Sequence, residues 1–94
     1  MFWQINFEPE AEDDLLGLDR VVNERILDKL TWLEKNFHNI TPIPLGYVLA
    51  GVFKLRIGDY RVLYEIKQKE HLINIVAAGH RSKIYKIFQQ QQGH

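Results

Sequence analysis

Phe53-Lys54-Leu55-Arg56-Ile57-Gly58-Asp59-Tyr60-Arg61-Val62-Leu63-Tyr64-Glu65-Ile66 is the stretch that decides how this chain folds. Phe53, Leu55 and Ile57 alternate with Lys54 and Arg56. A strand sends successive side chains to opposite faces, so one face is apolar and the other cationic. Gly58-Asp59 supplies a tight turn, because glycine tolerates positive φ and aspartate bonds to its own backbone. A second strand opens with Tyr60-Arg61, which sets a third cation beside the turn. The stretch therefore predicts a β-hairpin.

Downstream, Leu72-Ile73-Asn74-Ile75-Val76-Ala77-Ala78 is a nearly continuous apolar run. Such a run marks a central strand covered on both sides. Gln68 to His71 forms the polar turn before it. Gly79-His80-Arg81-Ser82-Lys83-Ile84-Tyr85 follows, and Ser82 is placed to cap a short helix through Phe88. Residues 89–94, with their glutamine run, read as a flexible tail.

Upstream, Phe2 to Phe7 reads as a short aromatic-rich strand. Pro9 then suits the first turn of a helix. Glu8, Glu10, Glu12, Asp13 and Asp14 suit the positive end of its dipole and are read as solvated. Ala11, Leu15 and Leu18 face inward. Gly17-Leu18-Asp19 breaks this helix, and Asp19 caps a second. There Val22, Ile26, Leu30, Leu33 and Phe37 recur at helical spacing, with the charged residues on the other face solvated. His38 to Gly46, with Pro42 and Pro44, reads as an irregular loop. The order β-α-α-β-β-β-α predicts an α+β fold, an antiparallel-rich sheet with the two N-terminal helices on one face. Residues 1–88 form the single domain.

Composition narrows the function classes. The 94 residues are 46% hydrophobic and 26% charged, as in an ordinary globular domain. There is no cysteine, so disulfides and thiolate metal sites are excluded and a reducing cytoplasm is expected. Neither a signal peptide nor a membrane-spanning run is expected. His38, His71, His80 and His94 share no metal-ligand spacing. Net charge is zero but unevenly spread. Residues 1–45 carry four bases against nine acids, and residues 46–94 carry eight bases against three acids. This asymmetry fits either a nucleic-acid face or two ends that neutralise each other.

Lys54 and Arg56 point the same way, Arg61 lies across the turn, and Arg81 ends a neighbouring strand. Tyr85 lies about one helical turn beyond Arg81. Guanidinium groups bind phosphate bidentately and stabilise a pentavalent phosphorane. A lysine crowded by cations can act as a base, and a tyrosine can stack on a nucleobase. Taken singly, each has a plainer reading. Cations alternate with apolar residues on any half-exposed strand, Arg61 can pair with Asp59 or Glu65, and Tyr85 can be core. Together they favour an anion site.

The run Leu55 to Ile66, followed by Gly79-His80-Arg81 and Tyr85, resembles the RelE/ParE superfamily of toxin–antitoxin toxins. Leu45 and Gly51 also fit that pattern. In the RelE branch the resemblance implies an endoribonuclease that enters the ribosomal A site and cuts mRNA, with no metal or cofactor. The RNA 2′-hydroxyl attacks, leaving a 2′,3′-cyclic phosphate and a 5′-hydroxyl. By resemblance Lys54 lies near the 2′-hydroxyl, and Arg61 braces the transition-state phosphate. Arg81 serves the leaving 5′-oxygen, and Tyr85 orients the substrate. Arg56, His80, Lys83 and Lys86 are expected to contact RNA, and His80 can share acid–base duty. Val52 stands where some members carry a further lysine. The implied partners are a cognate antitoxin, in a hetero-oligomer, and the ribosome with its mRNA. The ParE branch shares the fold, poisons DNA gyrase and lacks the nuclease residues, so Lys54, Arg61, Arg81 and Tyr85 together favour RelE. An inactive antitoxin-binding module is the third reading.

Overall fold

The computed structural model describes residues 2–46, 50–86 and 88. Strand β1 (Gln4–Phe7) leads into helix α1 (Pro9–Leu16) and helix α2 (Arg20–Asn36). A 3-10 turn (Phe37–Asn39) and a short strand β2 (Ile43–Pro44) follow. Strands β3 (Val52–Ile57), β4 (Tyr60–Lys67) and β5 (Leu72–His80) complete the sheet, and residues 84–86 and 88 are helical. The sheet order is β1-β5-β4-β3-β2. Among the described residues only β1 and β5 run parallel. Among the described residues no helix is long and apolar enough to cross a membrane.

The α+β expectation holds, and local chemistry explains the helices. Pro9 opens α1, where its missing N–H costs nothing. Asp19 caps α2 by accepting the Val21 N–H at 3.2 Å. Ile26, Leu30 and Leu33 turn inward from α2, with Phe37 following. They meet Ile57, Val62, Tyr64, Ile73 and Ile75 on one face of the sheet. A smaller cluster of Val52, Leu63, Ala77, Ile84 and Phe88 covers part of the opposite face. The C-terminal helical residues therefore lie across the sheet from α1 and α2, and β5 is covered on both sides.

Several expectations need correction. The first strand starts at Gln4 rather than Phe2. The 38–46 segment is not irregular throughout: Ile43 and Pro44 pair with Lys54 and Phe53. Proline is tolerated there because β2 is an edge strand. The acids near α1 are not all solvated. The Asp14 carboxylate accepts the Ala78 N–H at 3.1 Å, beyond the point where β1 stops pairing with β5. Glu8 accepts from Asn74 at 2.8 Å. On α2, Glu34 accepts the Ile5 N–H at 2.8 Å, satisfying a donor of the edge strand β1. Residues 47–49 and the expected tail 89–94 lie outside the described residues.

Asn74, only 3% exposed, interrupts the apolar run of β5. It accepts from Asn6 at 2.6 Å and donates to Glu8 and Glu65, so its polar atoms are matched. A second irregularity lies at Leu63/Tyr64, where the β4–β5 register shifts: Leu63 pairs with Ala77 but Tyr64 with Ile75. Val76 is the extra residue of this bulge. The bulge re-phases β5, so that Ala78 joins the main core and Gly79 comes beside Arg61.

Two expected outcomes follow from this packing. Gly58 sits at φ +57°, so Gly58→Ala should destabilise the fold by about 1–2 kcal/mol in denaturant unfolding. The Tyr64 phenol is buried, which raises its pKa to about 12. The neutral form is the one favoured by folding. Stability from this group is therefore intact below pH ~10 and lost as pH rises toward ~12, by at most about 2–3 kcal/mol. Tyr64→Phe should flatten that alkaline loss in pH-dependent unfolding, and an unchanged decline would refute the assignment.

Candidate functional site

The hairpin turn organises the site. Ile57 pairs with Tyr60, leaving Gly58-Asp59 as the loop. Positive φ is confined to Gly58, as a type II′ turn requires. With this register Arg56 lies directly opposite Arg61, and Lys54 opposite Leu63. Leu63 belongs to the smaller cluster, so Lys54, Arg56 and Arg61 all rise from the face away from α1 and α2. Lys54 is half-buried and Arg56 exposed.

Arg61 is only 8% exposed. Its Nη1 donates to the Gly58 carbonyl at 2.9 Å and to the Tyr60 carbonyl at 2.8 Å. The alternative pairing of Arg61 with Asp59 or Glu65 does not form. Two backbone carbonyls use both Nη1 protons, which leaves the Nε/Nη2 edge of the guanidinium. That edge is the fork that grips a phosphate with two parallel hydrogen bonds. No buried side-chain nitrogen or oxygen among the described residues lacks a partner, so this fork is not sealed from solvent.

Arg81 follows β5 and is tied to the same turn. Its backbone N–H donates to the Asp59 carbonyl at 2.8 Å. Its Nε lies 3.7 Å from the Asp59 carboxylate, in an exposed ion pair. Tyr85 is 40% exposed, so it is not core. Among the described residues no cation–π contact joins it to Arg81. Lys83 and Lys86 are exposed, and neither has a carboxylate partner among the described residues.

His80 pairs with Tyr60 in the sheet, and the two rings meet edge to face at 5.3 Å. Its Nδ1 accepts the Ser82 N–H at 3.1 Å and lies 2.8 Å from Ser82 Oγ. The acceptor role of Nδ1 places the proton of the neutral ring on Nε2. Tyr60, His80, Ser82 and Lys83 border a cavity of about 660 Å³ with Asp13 and Asp14 of α1.

The model of the family described as ParE toxin of the type II toxin–antitoxin system parDE matches residues 5–85. The chain belongs to this family. Toxin RelG of Mycobacterium tuberculosis is 42% identical over 43 residues, which cover 46% of this chain. That match spans 49% of RelG, about half its length. The RelBE2 toxin–antitoxin complex of the same organism superposes with a TM-score of 0.77 at 27% identity. It covers 86% of this chain and 100% of that one. A free E. coli RelE variant gives 0.73 at 19% identity, over 97% of this chain and 98% of that one. The archaeal RelE–RelB complex from Pyrococcus horikoshii gives 0.66 at 22%, over 88% and 99%. The last two show the shared fold alone. The chain is a RelE/ParE superfamily toxin of a type II toxin–antitoxin system, and the matched range includes the hairpin, Arg81 and Tyr85.

Sequence reasoning missed one neighbour of the site. The Arg25 guanidinium of α2 lies 2.9 Å from where a Gly58 Cβ would stand. Helical periodicity marked Arg25 as solvent-facing, which it is, but gave no signal that α2 ends up beside the turn. The exposed ion pair of Asp59 with Arg81 was likewise not anticipated. Exposed pairs of this kind contribute about 0.5 kcal/mol or less. Asp59→Asn should therefore leave unfolding nearly unchanged while tightening the binding of single-stranded RNA at low salt. Weaker binding in a fluorescence-anisotropy titration would count against an anion site at the turn.

Proposed function

We propose that this toxin is a ribosome-dependent endoribonuclease that cuts mRNA in the A site and so halts translation in the cytoplasm. One observation carries the reading. Arg56 and Arg61 face each other across the hairpin, and among the described residues no carboxylate pairs with either. Like charges directly opposite on a sheet are destabilising. A bound phosphate relieves that cost, so the pair is suited to an anion that arrives with the substrate.

The chemistry is a transesterification. The RNA 2′-oxygen forms a bond to phosphorus, the bond from phosphorus to the 5′-oxygen breaks, and the 2′-proton passes to a base. The departing 5′-oxygen takes up a proton. Lys54 serves the 2′-hydroxyl. Arg61 offers its Nε/Nη2 fork to the non-bridging oxygens, held in advance by the turn carbonyls. Arg81 releases Asp59 and stabilises the leaving oxygen. Tyr85 orients the substrate, His80 donates an Nε2–H hydrogen bond to it, and Arg56, Lys83 and Lys86 bind the backbone. A cognate antitoxin holds the toxin in a hetero-oligomer, in the manner of the RelBE2 toxin–antitoxin complex and the archaeal RelE–RelB complex.

A second reading is a ParE-like gyrase poison, favoured by the description of the matching family. The two readings separate in one experiment. Induction of the toxin, followed by mapping of mRNA 5′ ends, should give cuts phased to the reading frame. Intact mRNA with accumulated gyrase–DNA cleavage complexes would establish the poison instead. In single-turnover cleavage of ribosome-bound mRNA, Arg61→Ala and Arg81→Ala should each lose about 10²–10³ in rate with ribosome binding retained. Arg61→Lys keeps the charge without the fork and should also be impaired. Lys35→Ala, on α2, should remain active. Full activity of the arginine variants would defeat the nuclease assignment.

A further inference from the structure

A groove of about 220 Å³ lies where α2 approaches the outer edge of β3. Lys29 and Trp32 of α2, Pro42 and Ile43, and Lys54 and Arg56 of β3 are among the residues that line it, and no acidic residue does. The groove exists because β2 is short. Its two residues cover β3 opposite Phe53 and Lys54 only, which leaves the edge beyond uncovered by a strand.

Trp32 lies outside the buried core clusters. The core face of α2 is filled by Ile26, Leu30 and Leu33, while Trp32 is 42% exposed. The Lys29 ammonium sits 4.0 Å from the indole ring centroid, one helical turn before it. Lys54 and Arg56 leave the far face of the sheet at the rim of the groove. An exposed indole with a lysine against it, in a groove whose lining holds three cations and no acid, matches a flat aromatic group carried on a polyanion.

We propose that this groove is a nucleobase-stacking subsite for the mRNA. A base flanking the reacting phosphate stacks on Trp32. Lys29 leaves the ring for a neighbouring phosphate, and Lys54 and Arg56 hold the backbone where it crosses β3. The inference rests on the ribonuclease reading, whose cleavage site shares Lys54 and Arg56. It adds a second, sequence-tolerant anchor that fixes how the strand approaches the hairpin.

The test uses a short single-stranded RNA with 2′-O-methyl riboses, which cannot undergo attack by a 2′-hydroxyl. The protein has two tryptophans, Trp3 and Trp32. Trp32→Phe therefore reports on Trp3 alone without disturbing the packing of Trp3. Saturable quenching of the parent that disappears in Trp32→Phe is the expected result. Anisotropy should show Trp32→Ala binding the RNA about 10-fold more weakly. Equal quenching in both proteins, or binding without quenching, or no binding, would overturn the subsite. Quenching by polyglutamate as strong as by RNA would overturn it too, and would assign the groove to an acidic peptide. A parallel cleavage assay on ribosome-bound mRNA separates the two claims. Trp32-dependent quenching without cleavage leaves the subsite standing and removes the nuclease. Cleavage with neither quenching nor a raised KM in Trp32→Ala removes the subsite alone.

Discussion

The register of the β3–β4 hairpin is the constraint on which the rest of this molecule depends. A strand repeats every two residues, so a slip of one residue would exchange its faces. Arg56 and Lys54 would then turn into the core, and Leu55 and Ile57 out of it. Gly58 prevents this by adopting a φ of +57° that no other residue in the stretch could hold without strain. The apolar side of β3 and β4 pulls in the same direction, because Ile57, Val62 and Tyr64 are needed under α2. Turn chemistry and core burial thus agree on one register, and that register puts two arginines face to face.

This arrangement divides the labour between the two faces of the sheet. α1 and α2 close one face with the larger core. The other is closed only in part, by Ile84 and Phe88 against Val52, Leu63 and Ala77. Cationic side chains need a face that is not fully covered, since an unpaired buried charge is costly. Arg61 shows how a cation can nonetheless be held nearly buried. Backbone carbonyls of its own turn take one end of the guanidinium, so its orientation is held without a carboxylate.

Much of the fold could be read from local patterns, and the failures have identifiable physical causes. The hairpin, the Asp19 cap and the helical spacing of Ile26, Leu30 and Leu33 each depend on residues close in sequence. The β2 strand was hidden by Pro44, which signals a loop and is tolerated only because the strand is an edge. The bulge at Val76 was hidden because a strand buried on both faces shows no alternation to be broken. At the site, the shared face of Lys54, Arg56 and Arg61 was legible from the hairpin. The Asp59–Arg81 pair and the approach of Arg25 to Gly58 were not, since both depend on contacts between elements distant in the chain.

The neutral net charge is consistent with this design. Part of the acidic excess of the N-terminal half is used inside the fold rather than shown to solvent. Glu8 binds Asn74, Glu34 caps Ile5, and Asp14 meets the backbone of β5. Screening confines the field of exposed charges to about 8–10 Å at physiological ionic strength. A ligand at the hairpin therefore responds to Lys54, Arg56, Arg61 and Arg81 more than to the total charge of the chain. Their placement on one side of the sheet and around one turn, rather than any net excess of bases, is what makes an anion site of a neutral protein.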